Sequence, residues 1–278
     1  MQRRIRRLVA VGAVAVAVVV VGIVVSRIGT KAVTPVPLPT CTAAVGPDRA
    51  TLDLEQASHA ATIAAVGKRE GMSDHAVTVA LATAMQESKL RNLNFGDRDS
   101  VGLFQQRPSQ GWGTPAQLTN PRYAAKSFYD ALAEVPGWAT MDVTDAAQHV
   151  QRSAGPDAYA RWEPQARVLA QVLTGEAAAG FACRFTSPAA IDAAAGPLGA
   201  AVNSELGPSS VGTEVAAARG WTVAAWLVAH APAYRITEVS FAGLRWTPSS
   251  GRWEPHGPAR NQVRLVRAGV RTGAELSA

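Results

Sequence analysis

Leu8 to Val25 is an unbroken run of eighteen apolar, uncharged residues, nearly all valine, alanine and glycine. A run of that length meets the minimum for a helix that spans a bilayer. A secretory signal core is usually shorter, about 7–15 residues, and ends near a small-residue cleavage site. Ser26-Arg27-Ile28 follows here instead. Residues 1–30 are therefore expected to form a basic cytoplasmic stub and an uncleaved signal anchor, a single transmembrane helix. Four arginines ahead of the run place the N-terminus in the cytoplasm. The rest of the chain is then extracellular on a single-pass cell-membrane protein, or secreted if the segment is cleaved.

The net charge of +6 mostly reflects this topology signal. Arg3, Arg4, Arg6, Arg7 and Arg27 supply five of those charges, and residues 1–27 contain no acid. The remainder carries about +1, which argues against nucleic acid as a partner. One span without a cluster of ligating side chains also offers no transport pathway.

Residues 31–40 contain Pro35, Pro37 and Pro39 in alternation, the composition of a semi-rigid spacer. The two cysteines, Cys41 and Cys183, bracket the region that follows. Outside the membrane a bridge between them is permitted. Two unrelated free thiols is the alternative, and no C-x-x-C or other metal-ligand spacing occurs.

Thr51 to Arg69 reads as a helix capped by Thr51, and a second starts at Ser73, with Val77, Ala80, Leu81 and Ala84 at helical spacing. His59 and His75, lone histidines on these helices, read as surface or packing residues. Glu87 falls on the face of Ala80 and Ala84, in the last turn. The edge of a buried stripe and the negative end of a helix both disfavour a charged carboxylate there, so its pKa is expected to be raised. A carboxyl that holds its proton can protonate the leaving oxygen of a glycosidic bond.

Leu90 to Ser100 is a polar loop or tight hairpin, and Gly102-Leu103-Phe104-Gln105-Gln106 closes it. Further helices are expected after Asn120-Pro121, from Thr144 to Gln151, and from Asp157 to Leu173 with a kink at Pro164. Residues 51–183 thus read as almost wholly helical. Gly175 to Gly199 looks like a link. Beyond it, a helix over Val215–Ala229 and strands over Ile236–Phe241, Leu244–Thr247 and Gln262–Val266 form a small α+β module.

Glu87-Ser88, then Gly96-Asp97-Arg98, then Gly102-Leu103-Phe104-Gln105 resembles the lysozyme-like superfamily, closest to soluble lytic transglycosylases, goose-type lysozymes and the related domains of actinobacterial cell-wall proteins. Phe104 stands where that family carries Met, and the match covers roughly Leu52 to Thr174. The resemblance implies a mainly α lysozyme-like domain over 41–183, a linker over 184–200 and the small α+β domain over 201–278. It implies peptidoglycan glycan strands as substrate, no cofactor, and Glu87 as the general acid/base. In a lytic transglycosylase the same carboxylate activates the sugar's own 6-hydroxyl and yields a 1,6-anhydro product. Goose-type enzymes use aspartates as well: Asp97 matches the first, whereas Arg107 occupies the place of the second. Asp97 and Asp99 paired with Arg98 as solvated loop acids is the other reading. Ser88, Phe104, Gln105, Gln106, Trp112, Tyr123 and Tyr159 are the expected substrate contacts.

The C-terminal module weakly resembles zinc peptidases of the D-Ala-D-Ala carboxypeptidase type. Asn203 and Asn261-Gln262-Val263-Arg264 stand where ligands would be, and His230 and His256 lack the spacing, so no metal and no peptidase activity are expected. The alternative to a glycosidase is a non-catalytic, membrane-anchored wall-binding or assembly scaffold, with cell-wall, secretion or conjugation machinery as its partner.

Overall fold

The computed structural model describes residues 38–152, 155, 157–186, 197–208 and 210–269. The predicted anchor over 8–25 and most of the Pro-rich spacer lie outside the described residues. Among the described residues no helix is long and apolar enough to cross a membrane.

The expected mainly α domain is corrected. The protein is a mixture of helices and two antiparallel sheets. Strands β1 (Thr40–Val45) and β2 (Asp48–Leu52) form a hairpin around Gly46, and β3 (Phe181–Arg184) joins the other edge of β1. Cys41 and Cys183 are direct cross-strand partners in this sheet and form a disulfide across 142 residues.

Helix α1 (Leu54–Arg69) follows β2 directly. Thr51 belongs to the strand, so the cap falls to Asp53: its carboxylate accepts from the Gln56 amide at 2.9 Å, and the Gln56 side chain returns to the Asp53 amide at 3.0 Å. Helix α2 (Asp74–Ser88) starts at Ser73 as expected, with the Ser73 side chain accepting from the Ala76 amide. A short helix α3 (Pro115–Leu118) leads to α4 (Pro121–Ala133), capped by Asn120, and then α5 (Val143–Gln151). The expected long helix over 157–173 is instead a 3-10 turn at Ala160–Trp162 followed by α6 (Glu163–Leu173). Pro164 sits in the first turn of α6, where its missing N–H costs nothing.

The C-terminal part consists of α7 (Leu198–Glu205), α8 (Ala217–Ala229), α9 (Ala231–Tyr234) and strands β4 (Ile236–Phe241), β5 (Leu244–Trp246), β6 (Trp253–Pro255) and β7 (Arg264–Arg267). The strand order is β6-β5-β4-β7. The described residues cluster as one compact unit, and one apolar core runs through both parts. Helix α8 packs against α1, α6, β3 and β4. Two tryptophans fasten the C-terminal sheet to β3: Trp246 Nε1 donates to Cys183 O at 2.9 Å, and Trp253 Nε1 to Phe181 O at 2.8 Å. Trp246 is fully buried and Trp253 partly so, and each N–H finds a backbone acceptor. At the centre lies α2, whose Ala76, Val79, Ala80, Leu81, Ala82 and Ala84 are all buried. Its small side chains let α1, α5 and α6 approach closely.

Candidate active site

Helix α2 delivers Glu87 to its own C-terminus. The chain leaves the helix through Lys89 and Leu90, both left-handed at φ 58° and 60°. Lys89 Nζ folds back onto the exposed carbonyls of Met85 and Gln86 at 3.2 and 3.3 Å, supplying donors the helix end lacks. On one side of Glu87, Gln86 Oε1 accepts from Arg161 Nη2 at 2.8 Å and Trp162 Nε1 at 2.9 Å. On the other, the buried Ser88 hydroxyl lies 3.1 Å from Ala84 O and 2.8 Å from Leu103 O. Ser88 therefore stitches the helix end to the glycine–glutamine turn rather than facing a substrate. Glu87 itself is half-buried, and the hydroxyl of the fully buried Tyr159 donates to its Oε1 at 2.8 Å.

The turn is held just as tightly. Val101 and Gln106 form an antiparallel bridge across it. Gly102 is at φ 79°, and a Cβ there would stand 2.1 Å from Leu118 O. Only glycine combines that backbone with that approach. Phe104 is fully buried and stacks on Phe128 at 4.7 Å, and its carbonyl accepts from Gln151 Nε2 at 2.8 Å. Phe104 is a core residue, which corrects its expected substrate role. Gln105, left-handed at φ 48°, places its Nε2 3.2 Å from Gly102 O. Gln106 is 2% exposed: its Nε2 donates to Ala124 O at 3.3 Å, while its Oε1 has no partner among the described residues.

These elements border a cleft of about 920 Å³. Its walls bring together Glu87, Asp97, Gln105, Gln106 and Trp112 from the residues expected to act. Asp97 is highly exposed and lies 3.9 Å from Arg98 Nε, a loose pair. Asp99 is different: Arg107 Nε at 2.8 Å, the Ser109 amide at 2.7 Å and the Ser109 hydroxyl at 3.0 Å all reach its carboxylate. Those donors, Arg107 first, hold Asp99 far below the usual carboxylate range, so it serves as a fixed anion that shapes the loop.

Tyr123 does not border the cleft. Its hydroxyl donates to Trp112 O at 3.2 Å, and it lines a separate shallow concavity with Arg69 and Lys126. Its contribution is to support the Trp112 loop. Tyr159 likewise is not among the cleft-lining residues and meets the site at Glu87. The cleft also contains Glu134, His149, Gln151 and Arg152, which no motif singled out. They arrive from the ends of α4 and α5, so only the packing of those helices reveals them.

No protein-family model and no curated protein matches the chain.

Proposed function

We propose that the protein is a peptidoglycan-cleaving glycosidase, a lytic transglycosylase that cuts between MurNAc and GlcNAc with Glu87 as its single general acid/base. The observation that supports this reading most is the setting of Glu87. The carboxyl lines a cleft of about 920 Å³, one oxygen is steadied by Tyr159, and amide side chains and Trp112 border the same space. The motif likeness around Glu87-Ser88 and Gly102–Gln105 supports the substrate class.

In the proposed reaction Glu87 gives its proton to the glycosidic oxygen as the bond from that oxygen to the anomeric carbon breaks. The Glu87 carboxylate then takes the proton of the sugar's C6 hydroxyl as O6 bonds to the same carbon. Atoms and charge balance without water, metal or cofactor, and the product is a 1,6-anhydro end. Trp112 would offer its ring to a sugar face. Asp97, highly exposed and only loosely paired with Arg98, has room to assist by charge.

The disulfide favours an oxidising, extracellular setting, where the wall lies. Mass spectrometry of fragments released from purified peptidoglycan tests the reaction class. Anhydro ends support the transglycosylase; reducing ends would reassign the site to hydrolysis, with Asp97 or Glu134 as the candidate second carboxylate. Binding with no release would favour the wall-binding scaffold.

A further inference from the structure

A second concavity, about 610 Å³, lies away from the cleft. It opens between α1, the Ala116–Arg122 stretch, α7 and the His230–Tyr234 end of the C-terminal part. Arg122 stands at its rim, and Glu205 lies in its wall. Glu205 is 7% exposed, and among the described residues no cation stands within ion-pairing distance of it. Its Oε2 accepts from Thr62 Oγ1 at 2.8 Å and from Trp226 Nε1 at 2.7 Å, and its Oε1 receives no donor from the described residues. A carboxylate taken out of water without a counter-ion is costly, and such a group calls for an explanation.

Two histidines share the wall. His59 Nδ1 lies 2.7 Å from Leu90 O, and His230 Nδ1 lies 2.9 Å from Trp226 O. A carbonyl can only accept, so each ring carries its proton on Nδ1 and leaves Nε2 as a lone pair. Burial lowers both imidazole pKa values, which keeps the rings neutral. Thr62 gives its single proton to Glu205 and has none for His230 Nε2, 3.3 Å away. The concavity therefore offers three acceptors: His59 Nε2, His230 Nε2 and Glu205 Oε1. Stacked rings back them, with His230 at 4.1 Å and Tyr234 at 6.0 Å from Trp226.

A group that carries positive charge and several N–H donors complements that wall. A metal ion does not, since no group of three His, Cys, Asp or Glu side chains among the described residues is placed to hold one. An ammonium spans a wider set, because each N–H contact reaches about 2.9 Å against about 2.1 Å for a metal bond. Arg122 at the rim donates to the Ser204 hydroxyl and keeps its charge, but among the described residues it forms no ion pair with Glu205. We propose that this concavity binds a primary ammonium on an aliphatic chain, such as the side-chain amine of a peptide, with Glu205 as its counter-ion.

The test uses the full-length chain in non-ionic detergent, titrated with Nα-acetyl-lysine amide and, separately, with its Nε-acetylated form. Calorimetry follows affinity, and nitrogen NMR follows the histidine imidazoles. The expected result is saturable binding of the amine alone, with shifts at Nε2 of His59 and His230. Glu205→Gln should weaken it by about tenfold or more while keeping an acceptor for Thr62 and Trp226. His59→Phe, on a half-buried wall, should weaken it severalfold and decides the matter if the Glu205 variant does not fold. Equal binding of both probes, no saturable binding by the wild type, or undiminished affinity in either folded variant would overturn the proposal.

Discussion

The Tyr159 hydroxyl donates a 2.8 Å hydrogen bond to Glu87 Oε1 across 72 residues of sequence. One partner ends α2 and the other precedes the 3-10 turn before α6, so the packing of those two helices aims the carboxyl into the cleft. Tyr159→Phe removes only the hydroxyl from a fully buried ring. The expected effect on peptidoglycan cleavage is a fall in kcat of about tenfold with KM nearly unchanged, because a positioning contact is lost and no binding contact is. A rise in KM at constant kcat would show that Tyr159 contacts substrate instead.

Gly102→Ala strains the chain twice, at φ 79° and against Leu118 O at 2.1 Å. Expected is a loss of about 2–4 kcal/mol in denaturant melts, with activity falling in parallel as the glutamine turn shifts. Gly46→Ala, also at positive φ but with open space around its Cβ, should cost about 1 kcal/mol and leave activity intact.

The Cys41–Cys183 bridge closes a 142-residue loop. Replacing both cysteines with alanine should destabilise the protein by about 3–5 kcal/mol, mostly by freeing the unfolded chain. At this chain length that corresponds to a Tm lower by roughly ten degrees, measured by calorimetry. Because the bridge sits on the sheet away from the cleft walls, kcat at low temperature should not change.

Asp99 gives the protein a pH dependence with a definite sign. Its folded-state pKa is depressed, chiefly by Arg107. The stability it contributes is therefore fully present above the unfolded value of 3.8 and is lost as pH falls from there toward the folded value. The Tm gap between wild type and Asp99→Asn should be constant at neutral pH and shrink only below about pH 4. A gap that closes already near neutrality would contradict this assignment.

The legible parts of this chain are those decided by local chemistry. Ser73 caps α2 and Asn120-Pro121 opens α4 because side chain and backbone meet within a few residues. The sheet at the domain's base was hidden. β1 is built of Thr, Cys, Ala and a single Val, and its second partner comes from 142 residues away. Thr51 has cap chemistry but lies in β2, and Asp53 wins because Gln56 completes a reciprocal box. Of the residues the sequence singles out, Glu87, Asp97, Gln105, Gln106 and Trp112 line one cleft. The motif did not separate residues that face the cleft from those that hold it. Phe104 stacks inward, Ser88 ties two backbones together and Tyr123 supports Trp112, and each of these depends on tertiary packing. Glu134 and Arg152 reach the cleft from helix ends with no sequence mark.

The most direct measurement is release of soluble fragments from purified peptidoglycan by the wild-type protein and by Glu87→Gln, with equal folding verified by melting curves. Glutamine keeps an acceptor for Tyr159 but has no proton to give at the glycosidic oxygen. Expected is release by the wild type and at least a thousandfold slower release, on the order of background, by the variant. Equal release by the two proteins, or none by a folded wild type that still binds the polymer, would contradict the proposed role of Glu87.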